Sequence, residues 1–343
     1  MTFEDSDAIG EFDVIRRFFK PLKGNLSQGH FPETSLLLGI GDDCALLNAP
    51  VNGEVYAITS DMLVEGRHFF KDTSPSLLGH KCLAVNLSDL AAMGAKPIAY
   101  NLSIALPNID VDWLEQFSNG LHAIADFYGC TLIGGDTTAG PLTISITAIG
   151  SVAPKHALRR SGANVGDDIW ISNTVGDARL VLGCRRGEWH IDLPWQELAV
   201  RMDAPTPRID LGLGLRGLAT SAIDISDGLL GDLRHILNAS KVSADIVIDD
   251  IPCSPVLREV SLELRRLCTL KGGDDYELCF TTPKKQRALV QTLSEYLQLP
   301  LTRIGEITAM TSEQPEMALL EKDGVPLPAD LAKQYMRSFD HFK

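Results

Sequence analysis

Along the chain, short runs of β-branched and other apolar residues alternate with longer stretches whose apolar positions recur at helical spacing, beginning near residue 36. The pattern predicts strands at Leu36 to Ile40, Val55 to Thr59, Ile98 to Leu106, Thr131 to Ile133 and Leu142 to Val152. Between the second and third of these, Ser74-Pro75 supplies a capping residue and a proline suited to a first helical turn, and Gly94 with Pro97 ends the helix. A further helix runs from Asp110 to Tyr128, with Gly129 as its stop. After Val152, a Pro-Lys turn and the polar stretch Arg159 to Asp168 mark a domain boundary. Beyond it, Ile169 to Ser172, Ala222 to Ile225, Ile246 to Ile248 and Glu277 to Thr281 read as strands, with Leu229 to Ala239 and Lys284 to Leu297 as helices. The expectation is a mixed α/β (α+β) protein of two domains, residues 1–153 and 154–343, without short-period repeats.

The length agrees, since 343 residues exceed the size at which one hydrophobic core usually stops growing. No window has the roughly 18 uninterrupted apolar residues of a membrane span. The start, Met1-Thr2-Phe3-Glu4-Asp5, lacks the layout of a signal peptide, so a cytoplasmic protein is expected. Seven cysteines are scattered without a C-x-x-C pair and read as small buried residues in a reducing compartment. A net charge of −14 argues against nucleic acid as a partner, which clustered Lys and Arg would bind. The same charge repels phosphate esters, so action on nucleotides would call for bound cations.

Gly212-Leu213-Gly214-Leu215-Arg216-Gly217 matches G-x-G-x-x-G, but it lies in a helix-period stretch and follows no strand, so it is not a dinucleotide site. No G-x-x-x-x-G-K-[ST] occurs. What recurs is an apolar run ending in Gly or Ser and then Asp: Gly41-Asp42-Asp43, Thr59-Ser60-Asp61, Gly134-Gly135-Asp136 and Ile225-Ser226-Asp227-Gly228, with Gly272-Gly273-Asp274-Asp275 as a looser case. Each is expected to put a carboxylate at or just beyond a strand end, where ligands of α/β folds bind.

Asp89 is a separate clue, as the only charge in Cys82 to Gly94, an apolar helical stretch with Asn86 one turn earlier. A buried carboxylate without a partner is costly, so Asp89 should face a cation or a polar cleft. Many carboxylates on separate loops suit magnesium, which takes one or two from the protein and fills its shell with water and phosphate oxygens. A calcium loop would concentrate its ligands in about a dozen consecutive residues, and none does so here. Glycoside hydrolysis needs only two carboxylates and stays open on residue types.

Taken together, Gly39-Ile40-Gly41-Asp42-Asp43-Cys44-Ala45, Asn86-Leu87-Ser88-Asp89-Leu90-Ala91-Ala92-Met93-Gly94-Ala95, Gly134-Gly135-Asp136-Thr137-Thr138, Ile225-Ser226-Asp227-Gly228-Leu229 and Gly273-Asp274-Asp275-Tyr276-Glu277-Leu278 resemble the thiamine-monophosphate kinase family. The resemblance runs from about Glu11 to Phe339-Asp340-His341-Phe342. That family sits in a larger group of ATP-binding synthetases with aminoimidazole ribonucleotide synthetase, selenophosphate synthetase and the hydrogenase-maturation carbamoyl dehydratase. The resemblance implies an N-terminal mixed-sheet domain that forms a homodimer, a C-terminal α/β domain, and ATP between them.

It further implies that Asp43, Thr59, Ser60, Asp61, Asp89, Asp136, Asp224 and Asp227 ligate Mg2+ directly or through water. Among these, Asp43, Asp61, Asp89, Asp136 and Asp227 are the expected catalytic set. Gly135, Asp136, Arg160 and Ser226 are expected on the nucleotide, and His68, Asp274 and Phe339 on thiamine monophosphate. At Asp274 the chain departs from the family's usual Gly-Gly-Glu-Asp and shortens that side chain by one methylene.

The reaction so implied is direct in-line transfer of the ATP γ-phosphoryl group to the phosphate of thiamine monophosphate. Such an acceptor has a second pKa of about 6 and needs no general base at neutral pH. The cationic thiazolium favours an acidic, aromatic-lined pocket. One alternative is another synthetase of the superfamily. Selenophosphate synthetase would want a reactive Cys in a Gly-rich N-terminal loop and the dehydratase a C-terminal Cys, and the chain shows neither. A catalytically silent magnesium–nucleotide sensor is the alternative from a different class.

Overall fold

The structure, a computed structural model, describes residues 11–19, 36–38 and 46–336. It separates into two compact units, one of Met1–Asn86 with Pro97–Ser151 and one of Leu87–Lys96 with Val152–Lys343.

In the first unit, α1 (Glu11–Val14) continues as a π-helical turn over Ile15–Phe19, and β1 (Leu36–Leu38) pairs antiparallel with β2 (Leu46–Leu47). The main sheet has the order β3-β6-β4-β5, formed by β3 (Val55–Val64), β4 (Lys96–Leu106), β5 (Thr131–Ala139) and β6 (Thr143–Val152). Helix α3 (Val111–Tyr128) belongs with it, as does α2 (Pro75–Ala92) up to Asn86, the part of α2 from Leu87 onward being in the second unit. At α3 the expected stop is observed, and Asp110 caps the start. Asp110 accepts from the Trp113 N–H at 3.0 Å, and Gly129 ends the helix at φ 63°. Its buried Leu114, Phe117, Leu121, Ile124 and Ala125 follow helical spacing, each large side chain contributing about 1.5–3 kcal/mol by burial. Helix α2 is buried nearly all round, as expected. It starts early enough to include Lys81, which is only 2% exposed, so Asp89 is not its only charge.

Both β3 and β5 extend well past the predicted strands, and this overturns one expectation. Asp61 and Asp136 lie inside strands, not at their ends. Thr-Ser-Asp and Gly-Gly-Asp read as turn formers, but β3 and β5 are the edge strands of the sheet, where polar side chains tolerate exposure. At Gly135 the parallel pairing with β4 is so close that a Cβ would sit 1.7 Å from the Leu102 carbonyl oxygen.

The second unit holds a six-stranded sheet of order β12-β9-β11-β7-β10-β8. Its strands are β7 (Asp167–Ser172), β8 (Ser221–Asp224), β9 (Ser243–Val247), β10 (Leu278–Pro283), β11 (Leu301–Thr308) and β12 (Met317–Leu320). Neighbours run antiparallel except β12 and β9. Helices α4 (Asp177–Arg185), α5 (Ala199–Asp203), α6 (Ile209–Gly214), α7 (Leu229–Ser240), α8 (Pro255–Glu259), α9 (Leu262–Lys271), α10 (Arg287–Leu297) and α11 (Ala329–Tyr335) surround it. Ile169, Ile171, Ile223, Ile225, Leu229 and Leu233 form the centre of its core. Asp168, fully buried, accepts from Arg287 of α10 and Arg303 of β11, tying β7 to both. The Gly212 to Gly217 run starts in α6, and Gly212 is there for packing: a Cβ would meet the Ala91 carbonyl oxygen at 2.1 Å. Among the described residues, no helix is long and apolar enough to cross a membrane.

Candidate active site

The candidate residues of the first unit sit on its edge strands and on the loop after β3. Along β3 successive side chains alternate between faces, so Thr59 and Asp61 share one face while Ser60 lies on the other with Ile58 and Met62. The Ser60 hydroxyl bonds Thr147 Oγ1 at 3.0 Å and the Ile146 carbonyl at 3.3 Å. A single ion therefore cannot take side-chain oxygens from all three residues. Asp136 is exposed on β5, three strand positions from β3 with β6 and β4 between, about 14 Å at the usual strand spacing. His68, half-buried, accepts the Val64 N–H on Nδ1 at 3.0 Å, which leaves Nε2 to carry the proton of the neutral ring. Lys81 donates to the His68 carbonyl at 3.4 Å.

In the second unit the candidates gather where β8 ends. Asp224, the last residue of β8 and buried, accepts from the Ser88 hydroxyl at 2.7 Å. The chain then turns through Ile225, Ser226, Asp227 and Gly228 into α7, as the Gly/Ser-Asp pattern predicts. Ser226 is half-buried and Asp227 exposed. From one side the turn is held by backbone bonds: Asp274 N–H donates to the Ser226 carbonyl and Tyr276 N–H to the Ile225 carbonyl, both at 2.8 Å.

From the other side it is held by Asp232, which no motif in the sequence singles out. One oxygen of this carboxyl accepts the N–H groups of Ser226, Asp227 and Gly228 at 3.1, 3.1 and 3.0 Å. Burial, then the charge of Asp227, pushes Asp232 up to about 7 against the pull of the three amides. The only sequence signal for it is an acid in the first turn of a helix.

Asp274 adopts φ +65° and accepts from the Tyr276 hydroxyl at 3.0 Å, so it shapes its turn whatever else it does. Its neighbours carry more of the structure. Asp275 is buried with both oxygens 2.9 Å from the Gly176 N–H. Burial pushes it well above the usual carboxylate range. Glu277, 1% exposed, accepts from Ser172, Asn173, Arg201 and Arg208. Apolar residues alone would not reveal this network, because its partners lie far away in the sequence. Arg160 is exposed on a loop that Ser240 pins, its hydroxyl accepting from the Gly162 and Ala163 N–H groups and donating to the Arg160 carbonyl, all at 3.1 Å.

Asp89 is half-buried on α2. Asp43 and Phe339 lie outside the described residues. Among the described residues, no three His, Cys, Asp or Glu side chains converge as a ready-made metal cage. That donor chemistry, single carboxylates on separate elements, fits Mg2+ completed by phosphate and water better than an all-protein site.

The fold and this arrangement define the class. Residues 41–152 match AIR synthase related protein, N-terminal domain, and residues 196–317 match AIR synthase related protein, C-terminal domain. Over 338 residues the chain is 41% identical to thiamine-monophosphate kinase of Escherichia coli strain K12, covering 98% of this chain and 99% of the relative. A crystal structure of thiamine-monophosphate kinase from Stenotrophomonas maltophilia K279a is 46% identical, with a TM-score of 0.78 over 86% of this chain and 93% of that one. AaThiL complexed with AMPPCP and TMP superposes with a TM-score of 0.69 at 29% identity, over 84% of this chain and 90% of that one. The chain belongs to the thiamine-monophosphate kinase family.

Proposed function

We propose that the chain transfers the γ-phosphoryl group of ATP to the phosphate of thiamine monophosphate, giving thiamine diphosphate and ADP. The observation that carries this reading is a relationship at 41% identity over 98% of the chain to an enzyme named for this reaction. An oxygen of the acceptor phosphate attacks the γ-phosphorus as the bond to the ADP oxygen breaks. The acceptor is already ionised at neutral pH, so no residue has to remove a proton, and the chain's task is positioning and charge compensation.

Asp43, Thr59, Asp61, Asp89, Asp136, Asp224 and Asp227 are the residues we assign to Mg2+, which when bound offsets phosphate charge. Any share for Ser60 runs through its backbone, since its hydroxyl is turned to Thr147. Gly135, Arg160 and Ser226 are assigned to the nucleotide, and His68, Asp274 and Phe339 to thiamine monophosphate. A homodimer formed through the first unit is supported by exposed Ile58 and Met62 on one face of β3, at 66 and 57% exposure. Six described cysteines are free, in keeping with a reducing cytoplasm.

The test is ADP release with thiamine monophosphate, free thiamine and aminoimidazole precursors as acceptors. Turnover on thiamine monophosphate alone is expected. Equal rates on free thiamine would sink the mechanism, because a hydroxyl acceptor needs a base. ATP binding without turnover would make the chain a sensor.

A further inference from the structure

A glycine-containing turn that enters a helix ordinarily offers its backbone N–H groups to a phosphate. At the end of β8 those groups are already taken. The amides of Ser226, Asp227 and Gly228 all point to one oxygen of Asp232, which is 3% exposed and sits in the first turn of the helix they lead into. Helix α7 has no side-chain cap from its N-cap residue Gly228, and Asp232 reaches back to the Gly228 N–H, as the acid of a capping box does, and beyond it to those of Asp227 and Ser226. With the amides engaged from inside and the carbonyls of Ile225 and Ser226 engaged by Tyr276 and Asp274, the turn has one backbone conformation. What it presents outward is the exposed carboxylate of Asp227 and the hydroxyl of Ser226.

We propose that Asp232 is a positioning residue for phosphoryl transfer: it occupies the turn's amides as an internal anion-like acceptor, so that the turn presents a carboxylate to a metal and not N–H groups to phosphate. The inference rests on the reading of Asp227 as a metal ligand. It requires an acceptor oxygen at the position of Asp232, which a neutral amide can also supply. Outer residues that orient metal ligands typically change metal affinity when removed, and this gives the expected size of the effect.

The experiment measures steady-state turnover against Mg2+ concentration, with KM for thiamine monophosphate and melting temperature, for Asp232→Leu, Asp232→Ser, Asp232→Asn and Asp227→Asn. Leucine keeps volume without an acceptor, serine is too short to serve three amides, and asparagine keeps one acceptor oxygen. In Asp232→Leu the half-saturating Mg2+ should rise at least about tenfold while KM for thiamine monophosphate stays within about twofold. Asp232→Asn should lie within about threefold of the wild type. If Asp227→Asn leaves the magnesium dependence unchanged, the metal-ligand reading fails and this inference goes with it. If Asp227→Asn acts but Asp232→Leu, measured below its melting temperature, keeps the wild-type dependence, Asp232 is structural only and the proposal is overturned. Should the leucine variant not fold, an unchanged dependence in Asp232→Ser overturns it instead.

Discussion

Two sets of acids in this chain belong to one proposed reaction but are held in opposite ways. Asp61, half-buried, and Asp136, exposed, sit on edge strands and owe their facing to the strand's own alternation. Asp224 and Asp227 stand at a turn whose backbone is bonded on both sides and whose first carboxylate already has Ser88 as a donor. The difference separates two routes to the proposed metal-binding site. One carries the carboxylate on an extended strand and lets the ligand organise it, and the other holds the backbone around the carboxylate before any ligand arrives.

Substitution should therefore separate activity from stability in the first set and couple them in the second. Asp136→Asn, on an exposed strand position, is expected to lower kcat by at least about a hundredfold, as loss of a charge-stabilising group does elsewhere. Its melting temperature should match the wild type, and near-normal turnover with unchanged magnesium dependence would remove the ligand assignment. Asp224→Ala should lose activity and also destabilise by about 1–3 kcal/mol, because the buried Ser88 hydroxyl loses its partner. Denaturant unfolding measures this directly, and an unchanged midpoint would show that the bond contributes nothing.

A weaker effect comes from the fixed side of the comparison through pH. Asp275 is raised in the folded protein by burial, which the Gly176 amide only partly offsets and Asp177 adds to. Above the ordinary value of 3.8 the unfolded chain has released a proton that the folded chain keeps, so this group's contribution to stability declines as pH rises. Asp275→Asn cannot ionise, and its melting temperature relative to wild type should improve steadily from pH 4 upward. A difference independent of pH would contradict the buried-proton reading. The smallest effect is expected at Asp274, whose carboxylate already accepts from Tyr276. Asp274→Ala should raise KM for thiamine monophosphate by about tenfold or less and leave that for ATP alone, with Asp274→Glu tolerated. A lower melting temperature with no change in KM across Ala, Asn and Glu variants would leave Asp274 a turn residue only.

How much of this was legible in the sequence follows the same division. The turn at Ser226-Asp227-Gly228 could be read because a short apolar run ends there and a helix period begins, so local signals agree. The strand-borne acids were misplaced because Thr-Ser-Asp and Gly-Gly-Asp carry turn chemistry, and only pairing with β6 and β4 shows that the chain continues extended. Strand β11 carries no clear strand signal: Leu301 to Thr308 mixes Gly305, Arg303 and Glu306 into its alternation. Asp232 and Glu277 were invisible for another reason. An acid in a helix's first turn, or one beside a strand, has many ordinary explanations, and its partners are fixed only by the fold.

The place of β7 in the second sheet has a consequence for how this protein is made. It is synthesised early, at Asp167–Ser172, but its neighbours are β10 and β11, more than a hundred residues later. Asp168 likewise waits for Arg287 and Arg303. A nascent chain that has emerged only as far as α7 therefore carries β7 with both edges open and Asp168 without its arginine partners, the condition in which strands pair with the wrong partner. Slow translation or a stop anywhere between residues 173 and 300 should be the most hazardous interval in its synthesis, and the one in which chaperone contact matters most.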